Sequence, residues 1–152
     1  MTKHQAGFTL IELLVVVTII GILTSIVVTA LSRARLSAND AAVKADMTSV
    51  HQRAEVYFLV NKTYGSQSFK IGATNCTLGV FSDSSLANAF KAADVANSSG
   101  NVLCEAGDTY FYAAAALSNS WWCVDWQGTA KLETTAFPSS SATFTSNNNR
   151  CP

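Results

Sequence analysis

Charged residues are scarce in this sequence, and proline and histidine are nearly absent. Its 152 residues include ten lysines and arginines, ten aspartates and glutamates, two prolines and two histidines. Because the net charge is zero, electrostatics give no reason to expect a nucleic-acid partner. The sequence also lacks a Ser/His/Asp set, a phosphate-binding loop and a plausibly spaced pair of acids. We therefore expect no enzyme, no cofactor and no metal site.

The large apolar residues are concentrated near the N terminus. Phe8 to Leu31 is a run of 24 residues in which Glu12 carries the only charge. As a helix this run would be about 36 Å long, which is enough to span a hydrocarbon core of about 30 Å. Its Val, Ile and Thr residues favour strands in water. In lipid, however, the backbone must satisfy its own hydrogen bonds, so we predict a transmembrane helix.

Two other interpretations of this apolar run are open. A cleaved secretory signal has a shorter apolar region, followed by a cleavage site of small residues. A plain single-span anchor would explain the length but not Glu12. An acid at the centre of a spanning helix costs about 2.5–3.5 kcal/mol on insertion scales, and some cost remains near the helix end.

The segment Gly7-Phe8-Thr9-Leu10-Ile11-Glu12, with the apolar run behind it, resembles the prepilin signature of type IV pilins and type II secretion pseudopilins. The resemblance implies that residues 1–7 are a leader, cut after Gly7 by a membrane-embedded prepilin peptidase. The same enzyme would methylate the new amine of Phe8. Residues 8–31 would stay in the mature chain as the helix through which subunits assemble into a filament.

Glu12 is expected to pair with the amine that cleavage creates on Phe8, because an unpaired charge in an apolar layer is costly. The partner could be the amine of the same chain, near the positive end of the helix dipole, or that of a neighbouring subunit. The resemblance implies the neighbour, and the pair would then set the register between subunits. Gly21 matches a glycine of the family, whereas Thr29 stands where members often have proline. How far the helix unwinds in a filament is therefore open.

Residues 32–61 are predicted to continue the helix as an amphipathic segment. The apolar positions along this part fall on one helical face; they are Leu36, Val43, Met47, Val50, Ala54 and Tyr57. No glycine or proline interrupts the chain from Ile22 to Lys62, so one continuous helix is expected to end at the turn-like residues 61–65. The stripe could form a coiled coil with another chain, but we expect it to pack on the rest of this chain.

Residues 62–152 are predicted to form a small β-rich head. Residues 84–97 indicate a short helix that uses Leu86, Phe90 and Val95 and is capped by Ser84 or Ser85. Residues 109–117, 120–126 and 129–135 indicate an antiparallel meander, with Trp122 and Trp126 buried on one face and Trp121 opposite. The tryptophans could instead form a binding face. The expected fold class is α+β, with the long N-terminal helix packed on a small antiparallel sheet.

The four cysteines all follow the predicted helix and contain no C-x-x-C pair. An even number in a small head indicates disulfides formed outside the cytoplasm. Three pairings are possible, and we favour Cys76–Cys104 with Cys123–Cys151. The second bond would hold the C-terminal tail, as the resemblance to pilins implies. Free buried thiols are the alternative.

These observations predict a structural subunit of a type IV pilus, acting in adhesion, motility or DNA uptake. The subunit would sit in the cytoplasmic membrane with its head outside, and would then enter a cell-surface or periplasmic filament. Its partners would be copies of itself, the prepilin peptidase, an assembly platform and an ATPase. A second possibility is a pseudopilin, some of which bind calcium in the head, although Asp83, Asp94, Asp108 and Asp125 are scattered in this sequence. A third is a membrane-anchored extracytoplasmic binding domain, which predicts a monomer and no leader processing.

Overall fold

The computed structural model describes residues 9–96, 102–141 and 148–152. The chain divides into two units, Met1–Leu36 and Ser37–Pro152, and helix α1 (Leu10–Asn61) runs through the boundary between them. The other elements, in chain order, are β1 (Gln67–Ile71), two 3-10 turns (Ala73–Asn75 and Gly79–Ser82), α2 (Ser84–Ala96), β2 (Val102–Ala106), β3 (Phe111–Ala116), β4 (Trp121–Asp125) and β5 (Ala130–Glu133).

The five strands form one antiparallel sheet whose spatial order is the same as their order in the chain. Strands β3, β4 and β5 form the predicted meander, and the predicted α+β class is confirmed. Strands β1 and β2, which extend the sheet beyond β3, were not predicted from the sequence. The connection from β1 to β2 contains α2, and the other neighbouring strands are joined by short loops.

The C-terminal part of α1 buries one face against the sheet. Val43, Met47, Val50 and Ala54 have no exposed surface, and their spacings of four, three and four residues place them on one helical face. Tyr57 is half-buried against the same core. Leu36, seven residues before Val43, lies on the same helical face as predicted, but it is 51% exposed and does not belong to the buried core.

Helix α2 begins one residue after its cap. Asp83 Oδ1 accepts hydrogen bonds from the backbone N–H groups of Ser85 and Leu86, both at 3.0 Å, so the expected cap at Ser84 or Ser85 is wrong. A carboxylate in this position also suits the positive end of the helix. Leu86 and Phe90 are buried as predicted, whereas Val95 is 64% exposed because the helical period brings Ala93 to the core instead.

Both faces of the sheet are covered. The face toward α1 and α2 carries Cys104, Phe111, Ala113 and Val124 among its buried residues. The opposite face carries a second cluster, formed by Leu103, Tyr112, Ala114, Trp121, Cys123 and Cys151, with Phe137 packed against it. Trp121 does lie opposite Trp122 and Trp126, but it is the most buried of the three, at 1% exposure. The reason is that the C-terminal part of the chain returns over this face.

Candidate functional site

The start of α1 is organised by two side chains. Glu12 Oε2 accepts one hydrogen bond from the backbone N–H of Thr9, at 2.8 Å, and another from the Thr9 hydroxyl, at 2.7 Å. The Thr9 hydroxyl oxygen accepts in turn from the backbone N–H of Glu12, at 3.3 Å. This reciprocal arrangement is a capping box, in which a threonine before the helix and a glutamate in its first turn satisfy each other's free N–H groups.

In a single chain, the capping box fixes the position of the Glu12 carboxylate. The predicted partner of that carboxylate is the Phe8 amine; the pattern T-x-x-E at 9–12 is the signal for the capping box, which the prediction did not include. Gly7 and Phe8 lie outside the described residues. Cleavage after Gly7, methylation of Phe8 and the Phe8–Glu12 pair therefore stay predictions.

Helix α1 is long and apolar enough, by length and composition, to cross a membrane. Its large apolar side chains between Leu10 and Leu31 are exposed in the single chain. Hydroxyl groups in this stretch bond to the helix's own carbonyls, as Thr18 does to Val15, Thr24 to Ile20 and Ser25 to Ile22, at 2.7–2.8 Å. These hydroxyls therefore need no water, which makes the segment compatible with lipid.

Gly21 and Thr29 both lie inside α1, and the helix is continuous through them. A methyl group at Gly21 would meet nothing within 4 Å, so the surface there is open to another helix. Thr29 donates a hydrogen bond to the carbonyl of Ile26, at 2.9 Å, and unlike proline it keeps its own N–H. In the single chain this segment is not unwound.

The four cysteines form two disulfides, Cys76–Cys104 and Cys123–Cys151. This is the pairing that the sequence analysis favoured over the other two. Cys104 belongs to the core that faces the helices, and Cys123 belongs to the cluster on the opposite face. Each face of the sheet is thus joined by one covalent bond to a segment that is not a strand of the sheet.

Two carboxylates, one on α1 and one on β2, accept hydrogen bonds from tyrosine hydroxyls of the head. The Tyr64 hydroxyl donates to Glu55 on α1, at 2.9 Å, and the hydroxyls of Tyr110 and Tyr112 both donate to Glu105. Burial, and then the hydrogen bond to Glu105, raises the pKa of Tyr112 well above its ordinary value. The pKa of Tyr64 is raised in the same way by burial and by Glu55. These pairs connect elements of the head and leave the tyrosines neutral at physiological pH.

The three tryptophans do not form an exposed binding face in the described part of the head. Trp121 is buried, and its indole N–H donates to the carbonyl of Thr135 at 3.1 Å. Trp122 and Trp126 are half-buried against the helix-facing core. The Lys44 ammonium lies 5.4 Å from the centre of the Trp122 ring, so a neighbouring side chain of the same chain already contacts that ring.

Histidine and the acids of the head have local partners. His51 faces the sheet, with its ring stacked 6.1 Å from that of Phe111. Asp83 caps α2, Asp94 accepts from the N–H of Ala73, and Asp108 accepts from the Thr63 hydroxyl. Within residues 9–96, 102–141 and 148–152, no group of three or more His, Cys, Asp or Glu residues is arranged to hold a metal ion.

The motif at the start of α1 is recognised by comparison with protein families. The family model for the prokaryotic N-terminal methylation motif matches residues 2–28, which include Gly7, Phe8, Thr9, Glu12 and Gly21. The chain is therefore one that carries this motif, ahead of an α+β head.

Two similar proteins indicate which kind of protein with this motif the chain resembles. The type IV wide pilus major component PilA4 of Thermus thermophilus is 41% identical over 64 residues, which are 42% of this chain and 49% of that protein. The type II secretion system core protein G of Dickeya chrysanthemi is 33% identical over 73 residues, 48% of each chain. The resemblance to type IV pilins and pseudopilins is thus confirmed. The chain spans about half the length of these curated relatives, and no solved structure matches it significantly.

Proposed function

We propose that this protein is a structural subunit of a type IV pilus, with no catalytic role of its own. The observation that carries the proposal is the start of α1, where Glu12 is the only charged residue of the apolar run 8–31. An acid in that position has a free-energy cost in lipid, and the capping box with Thr9 offsets only part of that cost. A cationic partner from another subunit offsets the remainder.

The proposed assembly starts with removal of residues 1–7. Cleavage after Gly7 frees the amine of Phe8, which the peptidase then methylates. Residues 8–31 pack against the same segment of other copies, with Gly21 allowing close approach of a neighbouring helix. Glu12 pairs with the Phe8 amine of the neighbour, which neutralises both charges and fixes the axial register. An uncleaved subunit has an amide in place of that amine and is not incorporated.

The remaining chain forms the part of the subunit outside the membrane. We propose that residues 32–61 and 62–152, the amphipathic helix and the head, lie on the extracytoplasmic side, where the two disulfides form. The subunit is first held in the cytoplasmic membrane by residues 8–31. A platform and an ATPase then move it into the filament.

Mass spectrometry of the mature chain tests the processing step. The purified protein is expected to begin at Phe8 and to carry one methyl group on its amine. A chain that still begins at Met1 would contradict the proposal. A chain cut at a small-residue site after the apolar run would instead identify an ordinary secretory signal.

A pseudopilin of type II secretion is the second candidate, and the similarity to core protein G of Dickeya chrysanthemi favours it. Both candidates share the processing, the assembly helix and Glu12. They differ in the filament, because a pseudopilus remains short and periplasmic. Immunogold labelling of intact cells with antibody to the head separates them: long labelled surface fibres indicate a pilus, and their absence in cells that make the processed subunit indicates a pseudopilus.

A further inference from the structure

Asp125 is a buried carboxylate to which the proposed assembly assigns no role. It is the last residue of β4 and has 0% exposure. A buried carboxylate is costly unless it is paired or hydrogen-bonded. Within the described part of the chain, no side-chain cation forms an ion pair with it. Three backbone N–H groups surround it instead.

The two carboxylate oxygens of Asp125 serve different parts of the chain. Oδ1 accepts from the N–H groups of Gln127 and Thr129, at 2.9 and 3.1 Å, and so closes the turn between β4 and β5. Oδ2 accepts from the N–H of Cys151, at 3.0 Å, across 26 residues of sequence. The turn contacts are local and form at little entropic cost. They hold the carboxylate with Oδ2 free to accept from Cys151.

Cys123 lies two residues before Asp125 on β4, so the two side chains point to the same face of the sheet. Cys151 is therefore held by one strand at two points, its N–H by Asp125 and its sulfur by Cys123. The neighbouring Arg150 donates to the side chain of Gln127 in the same turn. These hydrogen bonds are made by groups other than the two sulfurs, so they can be tested in a chain that lacks the disulfide.

We propose that Asp125 is a positioning residue for oxidation: it docks the reduced C terminus so that the Cys151 thiol meets the Cys123 thiol. The oxidant is a small-molecule or protein disulfide of the extracytoplasmic compartment. One cysteine thiolate attacks the oxidant's disulfide and releases one oxidant thiol. The second thiolate attacks the resulting mixed disulfide and releases the other. Two electrons and the two cysteine protons pass to the oxidant, which leaves as two thiols. Asp125 acts on the second attack, by raising the local concentration of one sulfur near the other.

The chain contains its own control, because both disulfides have a sequence separation of 28 residues. Their loop-closure entropies are therefore alike, and only Cys123–Cys151 has the Asp125 contact. The full chain in detergent micelles is equilibrated with known ratios of reduced and oxidised glutathione. Free thiols are then alkylated, and peptide mass spectrometry quantifies each disulfide. This gives an equilibrium constant for each bond in the same molecule.

Asp125→Asn is the informative variant because it keeps the size of the side chain but retains one oxygen in place of two. An amide N–H₂ group then replaces one oxygen and cannot accept a hydrogen bond, either from the turn or from the N–H of Cys151. Loss of a hydrogen bond to a charged group is expected to lower the Cys123–Cys151 constant by about tenfold or more, with Cys76–Cys104 unchanged. An equal fall for both bonds, or no fall for either, would overturn the proposal.

A second measurement removes the disulfide altogether. In the Cys123→Ala/Cys151→Ala chain, the amide of residue 151 is expected to remain protected from hydrogen exchange, because Asp125 still accepts from it. Adding Asp125→Asn should reduce that protection by about tenfold. If the amide exchanges at the same rate with and without Asp125, docking does not precede oxidation and the proposal is wrong.

Discussion

The roles of charge and capping at the start of α1 can be separated with two substitutions. Glu12→Gln removes the negative charge but keeps the capping box, because glutamine is as competent as glutamate in that motif. Thr9→Ala removes the capping hydroxyl but keeps the carboxylate. Glu12→Ala removes both functions. In the proposed filament, the charge pairs with a neighbour's Phe8 amine, so Glu12→Gln is expected to do nearly as much harm as Glu12→Ala.

The free energies lost with the helix cap and with the intersubunit ion pair differ enough to show which role of Glu12 matters for assembly. Loss of an N-terminal cap costs about 0.5–2 kcal/mol, and the cap is a property of one chain. Removing one partner of a buried ion pair costs about 3–5 kcal/mol, which corresponds to a weakening of each subunit contact by about 10²- to 4 × 10³-fold. Thr9→Ala should therefore lower filament yield modestly, whereas Glu12→Gln should nearly abolish filaments.

The assay compares sheared filaments with the membrane pool of subunit, by immunoblot and electron microscopy. Membrane insertion and the mature N terminus, checked by mass spectrometry, serve as controls and should be normal in all three variants. Filaments at full yield from Glu12→Gln, with losses in Thr9→Ala and Glu12→Ala, would show that Glu12 acts only as a cap. The intersubunit pair would then be refuted.

Three further predictions concern the packing of α1 and the head. Met47→Ala should lower the free energy of unfolding by about 2–5 kcal/mol in urea titrations, because the side chain is fully buried. The control is Leu59→Ala on the same helix, which is 66% exposed and should change the free energy of unfolding by less than about 1 kcal/mol; equal effects would contradict the packing. Asp83→Ala should cost about 1 kcal/mol through loss of the α2 cap, measured in the same way. The pKa of Tyr112 is raised in the fold, so its neutral form contributes stability below about pH 10, and this contribution is lost at higher pH. Because Glu105 helps to raise that pKa, Glu105→Gln should shift the appearance of tyrosinate absorbance to lower pH. An unchanged titration would contradict the hydrogen bond between the two residues.

Much of the fold could be predicted because it depends on local pattern. The absence of glycine and proline from Ile22 to Lys62 predicted one helix, and α1 runs through that whole stretch to Asn61. The spacing of Val43, Met47 and Val50 predicted its buried face. Strands β3 and β4 have aromatic residues bounded by turns, which is a strong signal within a short window.

Strands β1 and β2 lack such a signal for identifiable reasons. In β1 the polar Gln67 is buried and the apolar Ile71 is exposed, so polarity does not indicate burial at these two positions, and the register shifts between Gln67 and Lys70. The side-chain oxygen Oε1 of Gln67 accepts from the backbone N–H groups of Thr77 and Leu78, at 2.9 and 2.8 Å, and so its burial depends on a loop ten residues away. Strand β2 is covered on both faces, and a doubly covered strand shows no alternation.

By itself the sequence determined that the N-terminal segment is long and apolar enough to span a membrane, that it contains one acid, and that α1 begins with a T-x-x-E pattern, because these properties involve neighbours in the chain. Tertiary structure alone decided that the C terminus returns over the second face of the sheet. That return buries Trp121 and brings the N–H of Cys151 to Asp125. A contact between residues 26 apart depends on how intervening strands pair, and no local window contains that information.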